Sequence, residues 1–386
     1  MATKSDNKRI STLVLKPSDF KVALRDVVNS GRAPFVWGPP GIGKSQISKQ
    51  VATELGFDTF ADVRLSQMEP TDVRGIPMPV KDKLDRDVVR WSSPDFFDPD
   101  TNTGDRNSRG PEHRKAFYLF DEMNSAAQSI QAAAYQIVLD KKLGPHVMGP
   151  RDFVMAAGNR ETDKGATFKM PTPLMNRFIH LELTHDFDDW QEHALGAMFD
   201  PNVVGYLTFA KQDLFQFDPS SASRGYPTPR SWEAVSDVLR AGPQSGEGIL
   251  TGIVAGAVGE GVAVKFMEYR RKAENLPNPS KILSGEIKEL AKPEVSLMYT
   301  LTTSLCYELK IANDKLASSN DTREDTKRWH KMADNFLGFM LKNFTPELVI
   351  MGARTAMAIH KLDLDPDQMD NWDKFADQYQ DLILKT

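Results

Sequence analysis

The stretch Trp37-Gly-Pro-Pro-Gly-Ile-Gly-Lys-Ser45 decides how the rest of this chain is read. Gly38, Gly43, Lys44 and Ser45 occupy the fixed positions of the pattern G-x-x-x-x-G-K-[ST], with Pro39, Pro40, Gly41 and Ile42 between them and Gln46 next. In that pattern backbone N–H groups cradle phosphates and the Ser hydroxyl binds Mg2+. The flanks agree with the motif. Phe35-Val36-Trp37 behind Pro34 suits a buried parallel strand. Ile47, Val51 and Leu55 fall at i, i+4 and i+8, and Gly56 stands where a helix would stop. Strand, glycine loop and helix therefore come in the order a phosphate site requires, and the helix N-terminus adds N–H donors and a positive dipole end.

The 386-residue chain has room for two or three domains, and 40% hydrophobic with 26% charged residues is ordinary globular composition. A net charge of −5 and a pI near 5.9 argue against a broad basic groove, so nucleic acid is not the expected partner. The one cysteine, Cys306, excludes an intramolecular disulfide and, without a Cys/His cluster, a cysteine-based zinc site; its expected role is core packing. The first eleven residues lack the apolar stretch of a secretory signal, and the most apolar window, 249–267, is interrupted by Glu260 and Lys265. A soluble cytoplasmic protein without a membrane span is the expectation. Gly252, Ala255, Gly256 and Gly259 in that window suggest a close helix–helix contact.

Outward from the loop, residues 18–29 read as a helix with Val22, Val27 and Val28 toward a core and Gly31 as its stop. Residues 60–65 suit a strand. Prolines 70, 77 and 79 forbid a plain helix beyond it and favour a hairpin or insertion, with 88–91 closing a small strand pair. Residues 98–112 read as a surface loop. The run Phe117-Tyr-Leu-Phe120 is a second buried strand, and it ends in Asp121-Glu122. Uncompensated charge beside a core is costly, so the pair calls for a counter-ion. Asp121 is suited by type to reach Mg2+, and Glu122 to orient or deprotonate an attacking water. A third strand, 153–157, runs into Gly158-Asn159-Arg160, which puts Asn159 in the crevice where open α/β sheets bind ligands. A fourth, 179–183, follows Arg177 and carries His180, expected to be satisfied within the fold because no second ligand is spaced to join it. From there on the periodicity is helical, with helices expected at 190–199, 203–209, 233–239, 250–274, 294–317 and 328–344. Arg230 at a helix start opposes the macrodipole, which a bound anion would explain.

The ordered set from Gly38 to Ser45, Phe120-Asp121-Glu122, Gly158-Asn159-Arg160, Asn176-Arg177-Phe178 and Pro229-Arg230 resembles an AAA+ ATPase. Within that superfamily it looks most like the MoxR group, through the run that begins Arg64-Leu-Ser-Gln-Met-Glu-Pro-Thr-Asp72 and reaches Pro79, and through Ala156-Ala-Gly-Asn-Arg160. The likeness covers about residues 12–240. It implies an α/β P-loop NTPase core at 12–184, a parallel sheet flanked by helices with an insertion in helix 2 at about 66–80. An all-helical lid at 185–290 and a C-terminal helical region at 291–386 would follow. By the same resemblance Lys44 and Ser45 are Walker A, Asp121 and Glu122 Walker B, Asn159 sensor 1 and Arg230 sensor 2. Arg177 is then the finger reaching a neighbouring subunit, with Arg160 a competing candidate.

The implied ligands are ATP and Mg2+, the metal held by Ser45 and Asp121. The implied assembly is a homo-oligomeric ring, expected to be a hexamer. Its hydrolysis would drive chaperone-like remodelling or maturation of a protein partner, often a von Willebrand factor A domain protein. No aromatic-hydrophobic-Gly pore loop occurs between the second strand and the Walker-B strand, a departure from the peptide-threading members. Two alternatives remain at this level: a nucleic-acid-stimulated motor of the helicase-loader or branch-migration type, and a nucleotide-gated scaffold that assembles on ATP without turnover.

Overall fold

A computed structural model describes residues 14–92, 94, 115–143, 146–163, 168, 170–218, 224–290, 294–318 and 323–383. The chain divides into two compact units, Met1–Asp186 and Phe187–Thr386. The first contains β1 (Val14–Leu15), α1 (Pro17–Asn29), β2 (Pro34–Trp37), α2 (Lys44–Glu54), β3 (Thr59–Arg64), α3 (Pro70–Arg74), β4 (Pro77–Lys81) and β5 (Asp87–Trp91). It continues through β6 (Ala116–Asp121), α4 (Gln128–Asp140), β7 (Lys142–Leu143), β8 (His146–Val147), β9 (Phe153–Gly158), α5 (Thr172–Met175) and β10 (Ile179–Leu183). Six of these strands form one sheet in the order β1-β10-β2-β9-β6-β3, and every neighbouring pair is parallel.

A parallel sheet needs helical crossovers and is covered on both faces, so its central strands read as unbroken apolar runs rather than alternating ones. β9 is buried at every position, and β6 at every position but Asp121. Phe35, Tyr118, Phe120, Val154 and Ala156 share one core cluster with Val73 of α3, Ile130, Ala134 and Ile137 of α4 and Leu174 of α5. Val36, Phe117, Leu119 and Met155 alternate with them along the strands and are also fully buried. The prolines after β3 produce a five-residue helix, α3, and then the antiparallel hairpin β4–β5, in which Pro77 pairs with Trp91 and Lys81 with Asp87. β7 and β8 form a second small antiparallel pair, Lys142 with Val147 and Leu143 with His146. The loop expected at 98–112 lies outside the described residues.

The second unit is helical: α6 (Phe187–Gly196), α7 (Pro201–Phe209), α8 (Pro229–Arg240), α9 (Glu247–Val258), α10 (Glu260–Ala273), α11 (Pro279–Leu283), α12 (Val295–Ser318), α13 (Arg323–Asn343), α14 (Pro346–Arg354) and α15 (Trp372–Ile383). One apolar core runs through it from Trp190 to Phe375, and Cys306 is wholly inside that core. Burial pushes the Cys306 thiol pKa far up, which leaves it an inert packing group. Among the described residues no helix is long and apolar enough to cross a membrane.

Three local expectations are corrected. In α1 the core residues are Phe20, Leu24 and Val27, while Val22 is 56% exposed, because the buried stripe passes through i, i+4 and i+7 from Phe20. The helix expected over 250–274 is two helices, broken at Gly259, whose φ of 82° lies where a residue with a Cβ is strained. Gly252 and Gly256 do not mediate a helix–helix contact, since a Cβ at either would meet nothing within 4 Å. The close approach at α9 is instead made by Gly225, where a Cβ would lie 2.5 Å from the carbonyl oxygen of Gly256 and 2.9 Å from that of Ala255.

Candidate functional site

The register of the sheet builds the site. Trp37 pairs with Gly158, so the residues that leave the ends of β2 and β9, Gly38 and Asn159, emerge side by side. From β2 the chain proceeds toward β3 at one edge of the sheet, and from β9 toward β10 on the other side of β2. Such a switch in direction opens a crevice at the carboxyl ends of the strands. Arg64 pairs with Asp121 at the ends of β3 and β6, which brings Ser66 beside Glu122.

The phosphate loop turns through Gly41 at φ 78° and Gly43 at φ 91°, and Gly43 is the N-cap of α2. A Cβ on Gly38 would lie 2.7 Å from Ile42 Cδ1 and 2.8 Å from the Leu183 carbonyl oxygen, so the loop passes β10 with no room for a side chain there. The first turn of α2 closes with the Ile47 N–H donating to the Gly43 carbonyl at 2.9 Å. The N–H groups of Lys44, Ser45 and Gln46 precede that bond and have no acceptor within the helix, which is the arrangement that receives a phosphate. Buried Pro39 and half-buried Pro40 stiffen the front of the loop, and buried Ile42 anchors its centre while Gln46 is exposed.

Four polar side chains converge on this loop. Lys44 Nζ donates to the carbonyl oxygens of Gly38 at 2.8 Å and Pro39 at 3.0 Å, and to Asn159 Oδ1 at 3.2 Å. Ser45 Oγ donates to Asp121 Oδ2 at 2.9 Å, while the other Asp121 oxygen accepts the Glu122 N–H at 2.8 Å. Glu122 takes a left-handed backbone, φ 54° and ψ 31°, at the point where β6 gives way to a short 3-10 turn. For a residue with a Cβ that conformation is costly. The Glu122 carboxylate accepts a hydrogen bond from the Ser66 hydroxyl. Asp121 and Glu122 are both half-buried, open enough to meet a ligand.

The two arginines near the site differ. Arg160 is pinned, its guanidinium paired with Asp163 at 2.9 Å and Glu182 at 3.2 Å, and the Asp163 hydrogen bonds raise its pKa further against the opposing effect of burial. Arg177 is exposed between α5 and β10 and makes no side-chain hydrogen bond or ion pair among the described residues. Arg230 belongs to the second unit, where it follows Pro229 in the first turn of α8 and is exposed. His180 is satisfied on both ring nitrogens: Nδ1 accepts from Trp37 Nε1 at 2.9 Å, and Nε2 then donates to the Met175 carbonyl at 2.8 Å.

The residues present fit a nucleoside triphosphate with Mg2+. Among the described residues no group of three or more His, Cys, Asp or Glu side chains could hold a metal by itself. A pocket offering one hydroxyl, one carboxylate and a phosphate cradle instead suits Mg2+, which keeps several waters and takes one or two carboxylates together with substrate phosphates. Two contributors were not assigned from the residue order: Ser66, which holds Glu122, and Asn124. The Asn124 amide is 2% exposed and donates from Nδ2 to the Asn159 carbonyl at 2.7 Å. An asparagine in the third position after a strand-terminal carboxylate, just before an apolar helix, is the one signal in the sequence that marks it.

No protein-family model matches this sequence, and no curated protein matches it. Among solved structures the chain is similar to the Holliday junction branch migration motor RuvB of Thermotoga maritima, at 16% identity over 84% of this chain and 85% of that one, with a TM-score of 0.33. It is also similar to NtrX of Brucella abortus in complex with ATP, at 10% identity over 78% of this chain and 67% of that one, with a TM-score of 0.36. A third is a candidate ATPase of Cytophaga hutchinsonii, at 13% identity over 97% and 89% of the two chains and a TM-score of 0.31. Likeness at that level is distant, and the class is defined by the chain's own geometry: a phosphate-loop α/β fold with polar side chains gathered at the carboxyl ends of its parallel strands. A parallel sheet flanked by helices and followed by a helical unit is also the architecture that the resemblance to AAA+ ATPases implies.

Proposed function

We propose that this chain is a Mg2+-dependent ATP hydrolase of the AAA+ type, MoxR-like, that works as a ring and uses hydrolysis to remodel or mature a protein partner. The observation that carries the reading is the convergence of two hydrogen-bonded pairs, Lys44 with Asn159 and Ser45 with Asp121, on the phosphate loop. In this reading Lys44 exchanges its loop carbonyls for phosphate oxygens, and Asn159 faces the terminal phosphate or the attacking water. Mg2+, held by Ser45 and Asp121, would neutralise charge on the phosphate oxygens. Glu122 takes a proton from the attacking water as that oxygen bonds to the terminal phosphorus and the bridging oxygen leaves with the diphosphate. Ser66 holds one of its carboxylate oxygens, which leaves the other for the water.

The exposure of Arg177 supports its reading as the residue that completes a neighbour's site, and the ion pairs of Arg160 weigh against the competing assignment. A guanidinium supplied in that way is worth about 10³-fold or more in rate in phosphate-loop enzymes. Arg230 would act as the second nucleotide sensor, and residues 185–290 would act as a lid. The partner remains best described as a protein, with a von Willebrand factor A domain protein as the form to test first.

The test is a pair of variants. Lys44→Ala should abolish nucleotide binding, whereas Glu122→Gln should bind ATP as the parent does and release no phosphate. Hydrolysis at the parental rate by Glu122→Gln would sink the role given to that carboxylate. Nucleotide-loaded Glu122→Gln protein is also the bait of choice for the partner.

A further inference from the structure

We infer that Asn124 is a positioning residue for the nucleotide site, a buried clamp that fixes the loop carrying Asn159 against the strand end carrying Glu122. The inference deepens the proposed hydrolase reading and rests on it. Three observations converge. The Asn124 side chain is buried, and its Nδ2 donates to the Asn159 backbone carbonyl at 2.7 Å, across 35 residues of sequence. Its own backbone carbonyl accepts the Phe168 N–H at 2.7 Å, so the same residue also holds the chain that follows the Asn159 loop. Finally, Asn124 Oδ1 is buried with no hydrogen-bond partner among the described residues and rests against Gly158, where a Cβ would come within 2.3 Å of it.

The bond made by the amide nitrogen shows what the residue is for. Packing alone would be served better by an apolar side chain of similar size, which brings no buried amide to satisfy. Reversing the amide would set Oδ1 against the Asn159 carbonyl, two acceptors face to face, so the orientation is fixed by the bond it makes. Gly158 is glycine because the clamp occupies the space above it, with Phe35 Cζ at 2.9 Å from the same missing Cβ as a second limit. The consequence falls on Asn159. Its carbonyl is held by Asn124 and its amide oxygen by Lys44 at 3.2 Å, so the side chain that would face the terminal phosphate is anchored from both ends. Asn124 also stands two residues beyond Glu122 in the 3-10 turn Met123–Ser125, and it thereby sets the separation between the proposed base and the proposed sensing amide.

A residue that only positions these groups should alter turnover and spare affinity. Asn124→Ala and the near-isosteric Asn124→Asp are compared with the parent by binding of a fluorescent ATP analogue, by steady-state phosphate release and by melting temperature. Expected are nucleotide affinities within about threefold of the parent and a fall in kcat of about tenfold to a hundredfold, the scale on which a misplacement of about 1 Å acts. Gly158→Ala should reproduce the loss in kcat. In the Asn124→Ala/Gly158→Ala double variant the two effects should not multiply, since each removes the same clamp.

A kcat within threefold of the parent in both Asn124 variants would overturn the inference. So would a parallel loss of affinity and turnover in variants that melt with the parent, or effects of the two single variants that multiply in the double. If Asn124→Ala does not fold, the kcat-against-affinity split of Asn124→Asp decides. Glu122→Gln is run alongside: its hydrolysing at the parental rate would remove the base assignment, a failure separate from any result at Asn124.

Discussion

Replacing Lys44 by Met keeps the aliphatic stem and deletes only the charge and its donors, so it isolates what the ammonium contributes. The ammonium satisfies the Gly38 and Pro39 carbonyls and Asn159 Oδ1 at 2.8, 3.0 and 3.2 Å. Charge-assisted bonds of this kind contribute about 1.5–3 kcal/mol when buried, and half-exposure of the side chain reduces that to about 1–2 kcal/mol. The phosphate-loop unit spans 186 residues. At that size each kcal/mol moves the melting temperature by roughly 2–4 °C, so the nucleotide-free variant should melt about 2–8 °C below the parent. Saturating ATP is the sharper arm of the experiment. A ligand at 100 times its Kd stabilises by about 2.7 kcal/mol, which for this unit is roughly 5–11 °C. The assay is thermal melting with and without Mg-ATP, carried out in the Glu122→Gln background so that nucleotide is not consumed. The parent background should gain that increment and the Lys44→Met protein less than about 1 °C. An ATP-induced shift of equal size in both would refute the placement of the phosphates on this loop.

Ser45→Ala removes the hydroxyl that donates to Asp121, and the Mg2+ concentration for half-maximal phosphate release should rise about tenfold or more while nucleotide still binds. Arg160→Ala should destabilise by about 1–2 kcal/mol, because it leaves the buried Asp163 carboxylate without its guanidinium, and that figure is already discounted for an arginine about a third open to solvent. Arg177→Ala, by contrast, should melt within about 0.5 kcal/mol of the parent and lose hydrolysis. Activity should return when it is mixed with Glu122→Gln subunits, and absence of rescue would point away from an arginine acting between copies. His360, in the second unit, has its pKa pushed down to about 4, first by burial and then by Lys310, with Asp314 opposing. The native state therefore keeps it neutral. Above pH 6.5 neither state carries the proton and nothing is lost; as pH falls from 6.5 toward 4 only the unfolded chain gains it, and stability drops by up to about 3 kcal/mol. Denaturant titrations across that range should show a shallower acid slope in His360→Phe, and equal slopes would remove His360 as a cause.

Much of the core was legible because its signals are local. The glycine spacing from Gly38 to Gly43, the apolar runs that became β2, β6, β9 and β10, and the carboxylates that end β6 each depend on backbone conformation within a few residues. A strand buried on both faces must be apolar throughout, so it announces itself in sequence. The misjudged places are those where a residue's surroundings come from elsewhere. Val22 fits an apolar helical stripe in sequence, yet the sheet receives the neighbouring stripe through Phe20, Leu24 and Val27. Gly252 and Gly256 look like a helix–helix seam, but no helix comes to meet them.

What the sequence by itself determined is that the first part of the chain makes strand, phosphate loop and helix, and that carboxylates and an asparagine follow buried strands. What only the tertiary structure decided is who touches whom. Trp37 pairing with Gly158 sets Asn159 against Lys44, although 115 residues separate them. Arg64 pairing with Asp121 delivers Ser66 to Glu122, and β10 supplies the Glu182 that ties down Arg160 while Arg177 stays open to solvent. The physical reason is that a conformational preference is a property of neighbours along the chain, whereas a hydrogen bond between strand ends depends on register, which is fixed only when the whole sheet is assembled.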